Sequence, residues 1–200
     1  MSGGLAAPDL DTLLADIRAC RVCAGEMPHE PRPVIQAHPD ARIMLVGQAP
    51  GTRVHASGKP FTDPSGDRLR DWLQMDEATF YDPTKLAIVP MGFCFPGLDA
   101  KGGDLPPRRE CAPLWQKRVR EQLPNIGLTL LVGQYAQRFW LGSQAHKTLT
   151  ETVRHADRYA PDFLPLPHPS WRNSAWLRKN PWFGEIILPM LRCRIKDLLP

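Results

Sequence analysis

Two hundred residues, 42% of them hydrophobic and 23% charged, suit one globular domain spanning 1–200. No stretch approaches the ~18 consecutive apolar residues of a membrane span, and 22 prolines argue for many loops and against a long helical bundle. A net charge of +4 fits a polyanionic partner without identifying one.

The opening MSGGLAAPDLD has neither a basic n-region nor an apolar h-region, so the cytoplasm is the expected setting. LDTLLADIRAC then places apolar residues at helical spacing, with Asp9 or Asp11 as its cap, and runs into Cys20. A proline-rich connector extends from Met27 to Pro39. ARIMLVG reads as a buried strand ending in the turn GQAPG. A loop carrying HASGKPFTDPSG leads to DRLRDWLQ, a helix packing Leu69, Trp72 and Leu73. KLAIVP is a second short strand, and a long loop with Gly97, Gly102 and Gly103 follows. PPRRECAPLWQKRVREQL predicts a helix with proline near its first turn. LTLLVG echoes the first strand and precedes the helix QYAQRFWL. DFLPLP is the fourth strand and ends at His168. NSAWLRK and PWFGEIILPMLRCRIKDLL close the chain as helices, the last one kinked by Pro189.

Strands alternating with helices predict a three-layer α/β/α sandwich around a parallel four-stranded sheet. Ligands of such folds bind beyond the carboxyl ends of the strands, where both GQAPG and HPSWRN fall. The two segments are therefore expected to be neighbours in space.

Cysteine usage points elsewhere. Five cysteines, an odd number, argue against a disulfide framework. Cys20 and Cys23 form a C-x2-C pair, and Cys94 and Cys111 make a remote second pair; four thiolates hold either a [4Fe–4S] cluster or a zinc ion. Cys193 is expected to pack on an apolar helix face.

The string GTRVHASGK is no phosphate loop, because its spacing is wrong and no Ser or Thr follows Lys59. The backbone N–H groups of Gln48 to Gly51 are instead expected to line a pocket for a carbonyl-bearing ligand, with Gly47 and Ala49 in its wall. The Gln48 amide can orient a water or a base edge, and Phe61 can offer a stacking face. Asp63 either polarises water and stabilises a cation, or is a turn residue before Pro64 and Gly66. The arginine runs PPRRE, QKRVRE and WRNSAWLRK are solvated helix faces or contacts to a polyanion.

These residues together resemble the uracil-DNA glycosylase superfamily, particularly its iron–sulfur branches, families 4 and 5. The resemblance runs from Cys20 to about Arg178 and rests on C-x2-C, strand–GQAPG, G-x-PF with a small-residue turn, Cys94, E-C111 and HPS. It implies a [4Fe–4S] cluster on Cys20, Cys23, Cys94 and Cys111, and removal of deaminated bases from DNA. His168 matches the histidine that faces O2 of a flipped uracil, and Phe61 the aromatic that stacks on that base. Gln48 stands where the family 4 motif GEAPG carries a glutamate, and Ala49 where the GQDPY motif carries an aspartate. Both usual acids are thus missing, and Asp63 is the natural replacement, as family 5 also has an aspartate near its F-T-x-x-S-G turn. Pro90 stands where family 4 places a base-reading asparagine, so discrimination against cytosine or thymine is expected to be looser or to rest on backbone groups.

On this reading His168, Asp63 and Gln48 form the catalytic set. Ser170 bonds a phosphate and lines the base site, Arg172 enters the minor groove or pairs with phosphate, and Asn173 caps the next helix and lies at the DNA. His55 faces the pocket or lies exposed on its loop. The expected partner is uracil-containing DNA, single- or double-stranded, with free uracil as product and the protein acting as a monomer. Hypoxanthine and xanthine are further candidate bases. Two other readings remain: a module of the same fold that captures uracil or abasic DNA without turnover, and a zinc-bound structural protein.

Overall fold

The segments IMLV, LAI, LTLLV and FLPL carry apolar residues pointing both ways, which only a sheet covered on both faces can accommodate. A computed structural model describes residues 9–199. There these segments form strands β1 (Ile43–Val46), β2 (Leu86–Ile88), β3 (Leu128–Val132) and β4 (Phe163–Leu166), all parallel, in the order β2-β1-β3-β4. Register pairs Leu45 with Ile88 and Leu130, and Leu130 with Leu164. Pro165, which cannot donate to a ladder, sits on an edge strand.

Helices α1 (Leu10–Ala19), α2 (Thr52–Ser57), α3 (Pro64–Leu73), α4 (Glu77–Phe80), α5 (Cys111–Glu121), α6 (Gln134–Leu141), α7 (Leu149–Arg154), α8 (Ser174–Lys179) and α9 (Leu188–Leu198) connect and cover the strands. Ile43, Leu45, Leu86, Leu130 and Leu164 join the apolar faces of α3 and α9 in one core layer. Met44, Val46, Ala87 and Leu131 join α1, α5 and α6 in the other. The predicted three-layer α/β/α sandwich with a four-stranded parallel sheet is what the chain forms. Each fully buried Leu or Phe in these layers contributes roughly 1.5–3 kcal/mol, so the sheet is a rigid base for the loops at its carboxyl edge. No helix among the described residues is long and apolar enough to cross a membrane.

Local chemistry explains the boundaries. Asp9 is the cap of α1, its carboxylate accepting from the Thr12 N–H at 2.8 Å, while Asp11 lies inside the first turn. Helix α5 begins at Cys111, later than the sequence suggests, and Pro113 is the proline in its first turn. A helix, α2, occupies part of the expected HASGKPFTDPSG loop. Gly58, at φ 74°, ends it, and Arg32 Nη1 donates to the carbonyls of His55 and Ala56 at 2.6 and 2.7 Å. Pro189 follows a π-helical turn, Phe183–Ile187, whose wider pitch accommodates the missing N–H and the ring. Cys193 corrects an expectation: it is exposed, because the buried stripe of α9 is Leu188, Leu191 and Ile195.

The chain leaves β1 toward β2 on one side and leaves β3 toward β4 on the other. The carboxyl ends of these two neighbouring strands therefore open a crevice.

Candidate active site

That crevice is a cleft of about 350 Å³, and it gathers the GQAPG turn after β1, the PFTD segment before α3 and the HPS loop after β4. Gly47, Gln48, Ala49, Phe61, Asp63, His168, Ser170 and Arg172 all line it; Asn173 does not.

Phe61 is set by the glycines around it. Its φ is 54°, a left-handed conformation that a bulky residue adopts only when its surroundings impose it. Its carbonyl lies 3.2 Å from the Tyr81 hydroxyl and 3.4 Å from Arg70 Nη1, both donors. A Cβ on Gly66 would fall 1.8 Å from that carbonyl oxygen, and a Cβ on Gly47 would fall 3.1 Å from the ring. The ring meets Phe80 edge-on at 6.0 Å, which leaves it fixed in the cleft wall.

Asp63 takes the expected turn position and also lines the cleft. Its Oδ1 accepts from the Gly66 N–H at 3.2 Å and caps α3, yet the residue lines the cleft close enough to His168 to favour a charged imidazole. His168 sits between the buried Pro167 and Pro169, and burial pushes its imidazole below the ordinary value while Asp63 opposes the shift. The Ser170 N–H donates to Nδ1 at 3.2 Å. An N–H can only donate, so Nδ1 is the acceptor and Nε2 carries the proton of a neutral ring.

Two residues of this support escape sequence reading. Arg68 of α3 donates to the carbonyls of Pro169 and Ser170 at 3.2 and 3.0 Å and reaches the Ser174 hydroxyl, fastening the HPS loop. Only the apolar stripe of its helix was legible. Asn173 was expected to cap α8; instead its amide donates to the His168 carbonyl at 2.8 Å and makes no cap bond. Ser170 Oγ accepts from the Arg172 N–H at 3.2 Å. Trp171, 72% exposed at the rim, carries the Arg172 guanidinium 5.6 Å above its ring.

The GQAPG backbone offers less than expected. Pro50 has no N–H, and the carbonyls of Gly47 and Gln48 accept from Met91 and Gly92 at 2.9 and 3.0 Å. Among the described residues no protein acceptor engages the N–H groups of Gln48, Ala49 and Gly51, which stay free for a ligand. Val34, Ile88 and Pro90 make an apolar stretch of wall. The Pro90 carbonyl accepts from Gln116 Nε2 at 2.7 Å, so that acceptor is engaged inside the protein. His55 does not face the cleft. Its ring packs 4.2 Å from His29 and 5.8 Å from Phe95, because α2 turns that side inward.

A family model described as the uracil DNA glycosylase superfamily matches residues 35–192. The chain belongs to that superfamily. The crystal structure of wild-type Pedobacter heparinus SMUG2 is similar at 16% identity, covering 78% of this chain and 72% of that one with a TM-score of 0.36.

The match to the superfamily starts after Cys20 and Cys23, so the cysteines stand on their own geometry. Cys20, Cys23, Cys94 and Cys111 line one chamber with Ile17, Met27, Leu114 and Trp115. Burial pushes the Cys94 thiol up to about 11 and the Cys111 thiol up to about 12, and each feels the charge of its neighbours. The Phe93 N–H donates to Cys111 Sγ at 3.4 Å. Among the described residues no three His, Cys, Asp or Glu side chains are placed to hold a single metal ion.

Proposed function

We propose that this chain hydrolyses the N-glycosidic bond of uracil in DNA after the nucleotide is everted into the cleft. One observation carries the reading: the Phe61 ring, the Nε2–H of His168 and the Asp63 carboxylate share one cavity at the switch point of the sheet. A base inside a duplex is unreachable, so the nucleotide must leave the stack. Phe61 offers it a flat face. Bond cleavage leaves negative charge on the base and positive charge on the sugar. The neutral His168 donates its Nε2–H to O2 as that charge develops, and Asp63 stabilises the sugar cation. Trp171, exposed beside the mouth, fills the gap left by the departed base, and Arg172 meets phosphate.

The four cysteines are proposed to hold a [4Fe–4S] cluster. Their shared and mostly apolar chamber suits a group that spreads its ligands over several irons. Bound there, a cluster would tie the end of α1 to the start of α5 and to the strand-end segment at Cys94. We place the protein in the cytoplasm as a monomer acting on single- or double-stranded DNA, with free uracil as product. Hypoxanthine and xanthine remain candidate bases, because the wall at Pro90 reads no base edge with a side chain.

The second reading is a module that binds uracil or abasic DNA without turnover; the absence of an acid at Gln48 and Ala49 favours it. Single-turnover assays on uracil-containing oligonucleotides separate the two. Cleavage that falls by about 10²-fold or more in Asp63→Asn and His168→Ala supports catalysis, and tight binding with no cleavage by the wild type supports the module.

A further inference from the structure

The cleft holds a second carboxylate that the motifs do not announce. Asp104 lies in the long loop after β2, in a hairpin that its own sequence closes. Asp99 N–H donates to the Gly103 carbonyl at 2.7 Å, and Leu105 N–H donates to the Gly97 carbonyl at 3.0 Å. The Asp99 carboxylate accepts from the N–H groups of Lys101 and Gly103, each at 2.8 Å, and Leu98 bridges Asp104 antiparallel. Gly97 and Gly102, at φ 102° and 73°, supply the two bends.

This hairpin leans over the GQAPG turn. Asp104 lines the same cleft as His168 and Asp63, and its Oδ2 lies 3.4 Å from where a Cβ on Gly51 would be. The residue as a whole is exposed, and its carboxyl faces Gly51 across a space that a Cβ there would fill. Partial burial, followed by the charges of Asp63 and Asp99, raises its proton affinity above that of an ordinary carboxylate, while the Arg172 guanidinium works in the opposite direction. Of the other groups in the cleft, His168 has its proton affinity lowered by burial and Arg53 adds a second positive charge to that of Arg172.

The two carboxylates are therefore unlike. Asp63 has one oxygen committed to the α3 cap. No protein donor among the described residues engages the carboxylate of Asp104, which faces Gly51 in the cleft.

We propose that Asp104 is the base of the hydrolysis, accepting a proton from the attacking water, and that Asp63 serves the sugar cation alone. The proposal rests on the glycosylase reading above. The water oxygen forms the bond to C1′ as the C1′–N1 bond breaks, and the bonding pair leaves with the base as its anion. The proton released by the water passes to Asp104 and then to solvent or to the departed base. The products are free base and an abasic sugar. This division also accounts for a GQAPG turn without an acid, because a carboxylate reaches the cleft beside Gly51 from the hairpin instead.

The test is single-turnover cleavage of a uracil-containing oligonucleotide from about pH 5 to about pH 9, with binding of the same strand followed by fluorescence anisotropy. For the wild type, the rate should fall as pH drops through the Asp104 titration. Asp104→Asn and Asp104→Ser should each lose roughly 10²-fold in rate and lose that acid limb, with DNA affinity unchanged within about twofold. Asp99→Ala, which loosens the hairpin, should slow cleavage while keeping the limb. Asp104 variants at the wild-type rate, beside inactive Asp63→Asn and His168→Ala, overturn the role of Asp104 and leave the glycosylase reading standing. A loss of rate with the acid limb intact also overturns it, since that marks a structural role. A wild type that binds and never cleaves overturns both.

Discussion

The backbone N–H of Ser170 donates to Nδ1 of His168 at 3.2 Å, and this contact sets the proton on the far nitrogen of the ring. The neutral imidazole can give a hydrogen bond to a base oxygen, and it does not compete with the sugar cation for Asp63. Removing it by His168→Ala should lower the cleavage rate by about 10²–10³-fold with little change in DNA affinity, measured in single turnover. Stability should carry the same signature. The ring's proton affinity is depressed in the folded state relative to its ordinary value of 6.5, so the unfolded chain binds the proton more readily. The stabilisation is complete above about pH 6.5 and is lost as pH falls from there through the lower folded value. Thermal melts should therefore show a smaller drop between about pH 7.5 and about pH 5 in His168→Gln than in the wild type. A residual drop is expected from His55, whose affinity is depressed in the same direction by burial.

Gly66 carries a second prediction. A methyl group there meets the Phe61 carbonyl at 1.8 Å, a backbone atom that cannot swing aside. Gly66→Ala must move either the start of α3 or Phe61 itself, and should destabilise by about 3 kcal/mol or more in urea titrations. Gly47→Ala presses on the Phe61 ring at 3.1 Å instead. A ring can tilt, so this variant should fold nearly as well as wild type and lose base binding first.

Trp171 is the reverse case. With 72% of its surface exposed, it supports no core, and Trp171→Ala should leave the melting temperature within about 1 °C. As the residue proposed to fill the vacated stack, it should matter most where a stack exists. Cleavage of double-stranded substrate should fall by about tenfold or more, and cleavage of single-stranded substrate much less. Equal losses on both substrates would remove the wedge role.

How much of this could be read from the chain differs between sheet and site. The strands were legible because burial on both faces requires unbroken apolar runs, and IMLV, LAI, LTLLV and FLPL supply them. Helix α2 was hidden behind Gly58 and Lys59, whose turn chemistry masked a helix end satisfied from afar by Arg32. Asp63, Phe61 and His168 were legible because each sits in a short motif with fixed neighbours. The contacts of Arg68 and Asn173 and the placement of Asp104 were not, since they depend on carbonyls and turns that lie 101, 5 and about 50 residues away and have no local pattern. Cys193 misled because a helix with a buried stripe leaves its remaining positions to solvent whatever their type.

The cysteine chamber yields the last prediction. Burial pushes the Cys94 thiol up to about 11 and the Cys111 thiol up to about 12, so assembling a thiolate-bound group must release protons and offset that cost with metal–sulfur bonds. Protein purified without oxygen should be brown, with broad visible absorbance and about four irons per chain. Cys20→Ser, Cys94→Ser and Cys111→Ser should each lose the colour and melt several degrees lower, because α1, the Cys94 segment and α5 are no longer joined. Cys193→Ser, on the exposed side of α9, should keep both colour and stability and so controls for thiol loss itself. Colourless protein carrying one zinc per chain would instead replace the cluster with the zinc alternative.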